Sequence, residues 1–441
     1  MADVSEFPFT VTEYVVDGQH IRDYANATVD PTATLKLVLK RYTPVDNPNP
    51  QPGDVTIIGA HGCGFPKEVY EPLWEDLYSR CKQDGYRIRS IWIADVTNLG
   101  ASGIMNKEFL GSEPSWLDHS RDLLHIINQF RDDMPQPIVG VGHSMGAGQL
   151  VLLSLLHPRL FTSLSLIEPV IPPNIMSGKG PLLAVMSLKR RDTWKTREAA
   201  IEAARKSHKQ WDKRVLDRWI SHAYHNLPSS ATPSQDDAAQ TTSKAKVDQP
   251  VTLVSSKYQE VLQYIRENPS SHQAVGREAT TPDAPPHDHL LFPDIIGPPE
   301  TTNEFYRFEP IFAWHMLKHV RPPVLYVLGK HSPVSVRENR EAVLKRTGVG
   351  IGGSGGVKAL RVEEKILNGS HQLPLEKVVE TAAAIGPWIS KSVQSWREDE
   401  ARIAMEWARR PMDDRLKNMA DWVPKLEKMM GVEKKKRDSR L

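Results

Sequence analysis

The stretch PIVGVGHSMGAG, residues 137–148, decides the fold that this sequence predicts. An apolar run typical of a buried strand ends at Gly142, and small residues that suit a helix start follow at Ala147 and Gly148. Between them lies the pattern Gly-x-Ser-x-Gly, which places Ser144 at a sharp strand-to-helix turn. Side chains at the two glycine positions would collide with the neighbouring strand and helix. The pattern therefore predicts an exposed, nucleophilic serine hydroxyl at the edge of an α/β sheet.

Apolar runs of strand length alternate with helical patterns on both sides of this turn. One helical pattern, around Trp116 to Phe130, places Leu123 and Ile127 on one face. Strands that alternate with helices form parallel sheets, so we predict an α/β fold with a mostly parallel central sheet. The predicted strands are Leu35–Tyr42, Val55–Ala60, Ile88–Ala94, Ile138–Gly142, Ser163–Ile167, Val324–Leu328 and Val362–Leu367.

The alternation stops after the fifth of these strands and resumes near residue 322, which divides the chain into four predicted segments. Residues 1–169 form the first part of the core, and 170–321 form a largely helical cap inserted over the active edge of the sheet. Residues 322–395 complete the core, and 396–441 form a C-terminal helical extension with a basic tail. A separate domain is the alternative for the cap. Helices are predicted there at Glu198–Lys206, Lys213–His225 and Tyr258–Glu267.

Composition excludes several classes of protein. Apolar residues make up 39% of the 441 and charged residues 25%, as in globular proteins, and a formal net charge of +2 gives no argument for a nucleic-acid partner. Cys63 and Cys81 are the only cysteines, which excludes a disulfide scaffold and favours a reducing compartment. No run of about 18 apolar residues exists, so no membrane span is predicted.

The last three residues, Ser439, Arg440 and Leu441, match the Ser-Lys-Leu peroxisomal address with one basic residue exchanged for another. We therefore expect a peroxisomal protein that the import receptor recognises through these residues. The preceding basic run, Lys434 to Arg437, is interpreted as a solvated tail, with a nuclear signal as the alternative.

A serine hydroxyl needs a base, and position along the chain selects one among sixteen histidines. His371 follows the last predicted strand and the turn Asn368-Gly369-Ser370, and it precedes an amphipathic stretch from Lys377 to Trp388. No other histidine has this setting. We predict that His371 takes the proton of Ser144.

A carboxylate should hold the imidazole in the right tautomer. The turn after the strand that ends at Gly329 is a common place for it, but that turn reads GKHSP, residues 329–333, without an acid. The preceding strand, Ser163–Ile167, does end in an acid, Glu168. We predict Glu168 as the third catalytic residue and keep Glu338 as the reserve candidate.

Two backbone N–H groups should stabilise the oxyanion of the tetrahedral intermediate. One is predicted at Met145, directly after the nucleophile, and the other at Cys63 in the loop after Val55–Ala60.

Neither a cofactor nor a metal is predicted. The Gly-x-Gly-x-x-Gly pattern within residues 350–356 follows a helix and precedes a strand, the reverse of a dinucleotide site, and is interpreted as a flexible connection. His287 and His289 lack a third ligand.

The chain resembles the fungal peroxisomal α/β-hydrolases of secondary metabolism, among them those of mycophenolic acid and of AK- and AF-toxin biosynthesis. The similarity extends from about Phe9 to Trp396. It is carried by HGCGFPKE (61–68), YEPLW (70–74), IWIADV (91–96), GHS (142–144), LHPRLFT (156–162) and the glycine loop 350–357.

This resemblance implies the α/β-hydrolase fold and an acyl-CoA thioesterase that acts on a bulky product of peroxisomal chain shortening. It also implies a serine nucleophile, a histidine base, an acid after the sixth core strand, and a homodimer. The mycophenolic acid enzyme has aspartate at the acid position, whereas this chain has Glu168. Two alternatives stay open: a carboxylesterase or lactonase of a related metabolite, and a non-catalytic hydrolase-like ligand-binding protein.

Overall fold

The structure is a computed structural model that describes residues 7–172, 179–227, 249–268, 290–291, 293–294, 304–412 and 422–431. The chain divides into two compact units, Met1–Val393 and Gln394–Leu441. The first unit contains a central sheet of eight strands in the order β1-β2-β4-β3-β5-β6-β7-β8. These strands are β1 (Phe9–Asp17), β2 (Lys36–Pro44), β3 (Val55–Ala60), β4 (Ile88–Ala94), β5 (Ile138–His143), β6 (Ser163–Ile167), β7 (Val324–Gly329) and β8 (Val362–Leu367).

Strand β2 runs antiparallel to β1 and β4, and all the other neighbouring strands are parallel. In a parallel sheet the carboxyl ends of the strands meet at one edge, where the loops carry the functional residues. Ser144 and Glu168 directly follow β5 and β6 at this edge. The topology therefore brings together residues that lie far apart in the sequence.

Helices cover both faces of the sheet. Ile57 of β3 packs in one apolar cluster with Trp74 and Ile385, whereas the next residue, Ile58, packs in the opposite cluster with Leu123 and Leu150. This alternation follows from the two-residue repeat of a strand whose two faces are both buried. The helices described in the first unit are α1 (Glu71–Cys81), α2 (Gly100–Met105), α3 (Trp116–Gln129), α4 (Met145–Leu156), α5 (Lys179–Lys189), α6 (Arg197–Ser207), α7 (Lys213–His222), α8 (Lys257–Tyr264), α9 (Phe308–Met316), α10 (Arg337–Arg346), α11 (Leu373–Glu376) and the larger part of α12 (Val378–Ala408). The second unit has the end of α12 and, within its described residues, α13 (Trp422–Met429).

The seven predicted strands all form, and four of them, β3, β4, β6 and β8, have the predicted bounds. Strand β1 was not predicted. It is one of the two edge strands of the sheet, and most of its residues are exposed, so it lacks a continuous apolar run.

Two predicted cap helices extend too far at their C-terminal ends. Helix α7 ends at His222, and Tyr224–Asn226 pairs as a strand with Val251–Leu253. Helix α8 ends at Tyr264, and Arg266–Glu267 pairs with Phe305–Tyr306. In both places pairing with a segment distant in the sequence overrides the local helical pattern.

The second unit is helical in the residues that the structure describes. It holds the residues of α12 from 394 onward and the short helix α13. The tripeptide Ser439–Leu441, the basic run 434–437, and His287 and His289 of the first unit lie outside the described residues. None of the helices described in either unit is long and apolar enough to cross a membrane.

Candidate active site

Ser144 occupies the turn between β5 and α4, and its backbone has a positive φ of 55°. The Ser144 N–H donates to the carbonyl of Ile167 at 2.9 Å, which ties the turn to the end of β6. A Cβ at Gly146 would lie 2.4 Å from the backbone of Ala60, and one at Gly142 would lie 2.8 Å from that of Ala147. Both glycines are therefore sterically required, and the strained serine conformation is held from two sides.

His371 follows β8 and reaches the serine. Its Nε2 lies 2.9 Å from the Ser144 Oγ. The turn before it is fixed by Glu376, whose carboxylate accepts hydrogen bonds from the Ser370 amide at 3.2 Å and the Ser370 hydroxyl at 2.8 Å. The imidazole of His371 therefore lies within hydrogen-bonding distance of the Ser144 hydroxyl, the geometry that proton transfer requires.

Glu168 completes the arrangement. It is fully buried, its φ is 50°, and its Oε2 lies 2.9 Å from the Nδ1 of His371. A carboxylate at this distance holds the proton of the imidazole on Nδ1 and leaves the Nε2 lone pair to accept from Ser144. Glu338, the reserve candidate, is exposed in the first turn of α10, and no hydrogen bond joins it to His371 in the described part of the chain.

Sequence reasoning missed the residues that stabilise this buried carboxylate. The Gly329 N–H donates to Oε1 at 2.5 Å, and the Ser335 hydroxyl donates to Oε1 at 2.9 Å. The Ser332 hydroxyl donates to Oε2. These donors form hydrogen bonds to both carboxylate oxygens in place of the water that burial removes. The sequence signal that could have indicated these donors is the turn at residues 329–333, which has no acid of its own. Its Gly329 and Ser332 donate instead to the acid that follows the neighbouring strand.

The two predicted oxyanion donors border the same cavity as Ser144 and His371. Among the described residues, neither the Cys63 nor the Met145 amide donates to a backbone carbonyl, whereas the neighbouring Gly62 amide donates to the Tyr70 hydroxyl. Burial raises the pKa of the Cys63 thiol well above its ordinary value. This thiol therefore stays protonated, and the backbone of Cys63 is the part suited to stabilise an oxyanion.

A second chain of hydrogen bonds was also missed. The Tyr70 hydroxyl accepts from the Gly62 N–H at 2.7 Å and donates to the His143 Nδ1 at 2.8 Å. The His143 Nε2 then donates to the backbone carbonyl of His371 at 2.9 Å. Burial, with the nearby His371, lowers the pKa of His143 to about 3, so this imidazole stays neutral. This chain of hydrogen bonds joins the Cys63 loop, residues 61–64, to the backbone of His371.

The cavity above Ser144 has a volume of about 810 Å³, within the range of pockets that hold small organic ligands. Aromatic and aliphatic side chains form most of its wall, including Phe65, Trp116, Trp194, Trp219 and Leu253. The segment between β6 and β7 supplies much of this wall. The site can therefore enclose a bulky apolar group next to the serine hydroxyl.

A buried carboxylate joins the segment between β6 and β7 to the Cys63 loop. Glu260 of α8 accepts from the Ser187 hydroxyl at 2.8 Å, from the Tyr264 hydroxyl at 3.0 Å, and from Arg190 at 2.5 Å. A Cβ at Gly64 would lie 2.9 Å from this carboxylate. The close approach shows that α8 packs directly on the loop that carries Cys63.

The glycine stretch 350–356 lies between α10 and β8, and none of its residues lines the cavity. Within the described ranges, no group of three or more His, Cys, Asp or Glu side chains is arranged to hold a metal ion.

Comparison with known proteins agrees with the fold and with the resemblance. The model of the alpha/beta hydrolase family matches residues 57–384. The type I acyl-CoA thioesterase mpaH of Penicillium roqueforti (strain FM164) is 39% identical over 410 residues, 90% of this chain and 91% of that protein. The abhydrolase domain-containing protein ACTT2-2 of Alternaria alternata is 31% identical over 299 residues, 67% of this chain and 99% of that protein.

Among solved structures, the peroxisomal alpha-beta-hydrolase Lpx1 of Saccharomyces cerevisiae shares the fold. Its TM-score is 0.62 at 18% identity, with 92% of this chain and all of that chain covered. The predicted similarity to fungal hydrolases of secondary metabolism is thus confirmed. The chain belongs to the alpha/beta hydrolase family.

Proposed function

We propose that this hydrolase is a serine thioesterase that releases a free carboxylic acid from a bulky acyl-CoA. The observation that carries the proposal is the distance of 2.9 Å between the Ser144 Oγ and the His371 Nε2, at the wall of a large apolar cavity. The 39% identity to a type I acyl-CoA thioesterase supports the substrate class. Ser144 is the nucleophile, His371 the general base, and Glu168 the group that orients the base.

In the first half of the reaction, the Ser144 Oγ attacks the thioester carbonyl while the His371 Nε2 takes the hydroxyl proton. The Met145 and Cys63 N–H groups stabilise the oxyanion that forms, and each such donor contributes about 3 kcal/mol in comparable enzymes. Collapse of the intermediate breaks the C–S bond, and the proton on His371 passes to the leaving thiolate. Coenzyme A departs as its thiol, and the acyl group remains on Ser144.

In the second half, water attacks the acyl-serine ester. His371 removes the proton of the water and returns it to the Ser144 Oγ when the ester bond breaks. The carboxylic acid leaves, and the resting enzyme is restored. Glu168 remains an anion throughout and stabilises the transient imidazolium through its bond to the His371 Nδ1.

The decisive test is a panel of acyl-CoA thioesters assayed by release of free thiol, with wild type beside Ser144→Ala. Ser154→Ala is the matched control, because Ser154 is a buried serine of α4, the helix that follows Ser144, and does not line the cavity. We expect thiol release in wild type and Ser154→Ala and a loss of at least 10³-fold in Ser144→Ala. Equal rates in wild type and Ser144→Ala would refute the mechanism.

Matched oxygen esters and lactones in the same panel test the alternative substrates. Faster cleavage of those compounds than of any thioester would favour a carboxylesterase or lactonase with the same residues. Slow single-turnover binding without product would favour a non-catalytic ligand-binding protein.

We further propose that the protein acts in the peroxisome and is imported through Ser439–Leu441, since this tripeptide fits the address pattern. A fluorescent fusion with and without these three residues tests import, and unchanged peroxisomal localisation of the shortened fusion would contradict it. The homodimer stays a prediction, which the mass of the protein in solution tests.

A further inference from the structure

Among the described residues, four charged side chains besides the histidines line the cavity: Arg190, Arg191, Glu260 and Arg307. Two of the three arginines are already paired. Arg190 binds the Glu260 carboxylate at 2.5 Å, and Arg307 binds the buried Glu309 at 2.6 Å. No ion pair joins Arg191 to a carboxylate in the described part of the chain. Arg191 is therefore the cation of the wall whose charge is not compensated.

Arg191 is also held in place by groups that leave the tip of its side chain available. Its Nε donates to the backbone carbonyl of Thr193 at 2.8 Å, and its guanidinium carbon lies 5.6 Å from the centre of the Trp194 ring. These contacts orient the guanidinium plane. Its two terminal nitrogens make no hydrogen bond among the described residues, and the residue is exposed. A guanidinium held in this orientation can bind a phosphate through two parallel hydrogen bonds from its terminal nitrogens.

The neighbouring histidine does not add to this charge. His208 also lines the cavity and stacks on Trp211 with ring centres 3.9 Å apart. Burial, together with the charge of Arg190, lowers the pKa of His208 to about 4. His208 is therefore neutral at physiological pH, and the positive charge at this part of the wall depends on the arginines.

We propose that Arg191 binds a phosphate group of the coenzyme A part of the substrate while the thioester carbonyl lies at Ser144. This inference rests on the proposed function and deepens it. Both residues border one continuous cavity whose remaining wall is largely apolar, which suits the acyl and pantetheine parts. The Arg190–Glu260 pair positions the turn that carries Arg191, and Arg191 makes the enzyme select CoA thioesters over uncharged thioesters.

The test compares three thioesters of one acyl group: the CoA thioester, its 3′-dephospho form and the uncharged pantetheine thioester. Arg191→Ala should raise KM for the CoA thioester about five- to tenfold, since a charge-assisted hydrogen bond at an exposed site is partly screened. KM for the pantetheine thioester and kcat for all three should stay unchanged. If Arg191→Ala raises KM less for the 3′-dephospho thioester than for the CoA thioester, the partner of Arg191 is the 3′-phosphate. If it raises KM equally for both, the partner is the pyrophosphate.

Lys189→Ala is the matched control. Lys189 lies two residues before Arg191 and carries the same charge, but its side chain does not line the cavity. A KM for the CoA thioester that is unchanged in Arg191→Ala, or raised equally for the pantetheine thioester, would overturn the inference. Titration of CoA itself into the Ser144→Ala protein, with and without Arg191→Ala, tests binding without turnover. If wild type releases no thiol from any thioester, the proposed function fails, while this titration still decides whether Arg191 binds CoA.

Discussion

Replacement of Glu168 by glutamine tests the site most sharply, because the carboxylate accepts from donors on both of its oxygens. Gly329 and Ser335 donate to Oε1, whereas Ser332 and His371 donate to Oε2. Glutamine keeps one acceptor oxygen and introduces an NH₂ group in place of the other. This NH₂ group must face either the Gly329 and Ser335 donors or the Ser332 and His371 donors. The outcome depends on which orientation costs less free energy.

An NH₂ group placed toward Gly329 would leave two N–H groups facing each other in a buried position, at a cost of about 1–3 kcal/mol. The opposite orientation is easier, because the Ser332 hydroxyl can rotate and accept. In that orientation the His371 Nδ1 must also accept, so its proton moves to Nε2. The imidazole then presents an N–H to the Ser144 Oγ and cannot take its proton.

We therefore expect Glu168→Gln to lose about 10⁴-fold in kcat, or about 5.4 kcal/mol of transition-state stabilisation, as when a triad carboxylate of a serine protease becomes an amide. The free energy of unfolding should fall much less, by about 1 kcal/mol. Thiol-release kinetics and chemical denaturation measure the two quantities. Glu338→Gln is the control at an exposed position and should retain wild-type kcat. The reasoning is refuted if Glu168→Gln retains a tenth of wild-type kcat, or if Glu338→Gln loses more.

Three further outcomes follow from the same geometry. Tyr70→Phe leaves the Gly62 N–H and the His143 Nδ1 without partners, so we expect about 1–3 kcal/mol less unfolding free energy and a lower kcat. Denaturation and thiol release measure both, and full activity would show that this hydrogen-bond chain does not position the base. Gly146→Ala should lower the unfolding free energy by about 3 kcal/mol, because its Cβ would overlap the backbone of Ala60; a melting temperature equal to wild type would contradict this. The pKa of His143 is about 3 in the folded chain and about 6.5 in the unfolded chain, so the unfolded chain binds a proton more readily. The neutral His143 therefore contributes fully to the free energy of unfolding above pH 6.5. Between pH 6.5 and 3 this contribution falls by about 1.4 kcal/mol for each unit by which the pH is lowered. His143→Asn should flatten this part of the stability profile measured by denaturation at several pH values, and an unchanged slope would exclude His143 as its source.

The parts of the molecule that could be predicted from the sequence are those with a strong local signal. Strands β3, β4, β6 and β8 were predicted with the observed bounds, and in β3 all six residues are buried and Thr56 is the only polar one. Ser144 was predicted from its turn motif and His371 from its position after the last strand, and the structure brings the Ser144 Oγ within 2.9 Å of the His371 Nε2. Each of these signals lies within about ten residues of the feature it predicts.

The parts that could not be predicted depend on contacts between distant segments. The Ser335 hydroxyl and the Glu168 carboxylate are 167 residues apart in the chain, and the His143 ring and its Tyr70 partner are 73 apart. Serine and tyrosine are too common for their identity alone to indicate such a role. Glu168 itself was predicted from the residues by elimination, because the more usual strand end carried no acid, and the resemblance to the fungal hydrolases implied an acid at the same strand end.

The position of that acid follows from the register of the sheet. Strands β6 and β7 are parallel neighbours in which Ile167 lies beside Val327, so the turns that follow them begin at the same level. An acid on either turn can reach the same imidazole, provided that the other turn supplies donors to keep it charged. Here β6 carries the carboxylate, and the turn after β7 carries the Gly329 amide and the Ser332 hydroxyl. The acid thus follows one strand and its donors follow the neighbouring strand, and the acid still lies within hydrogen-bonding distance of His371. This arrangement explains how a turn without an acid can contribute to the candidate site.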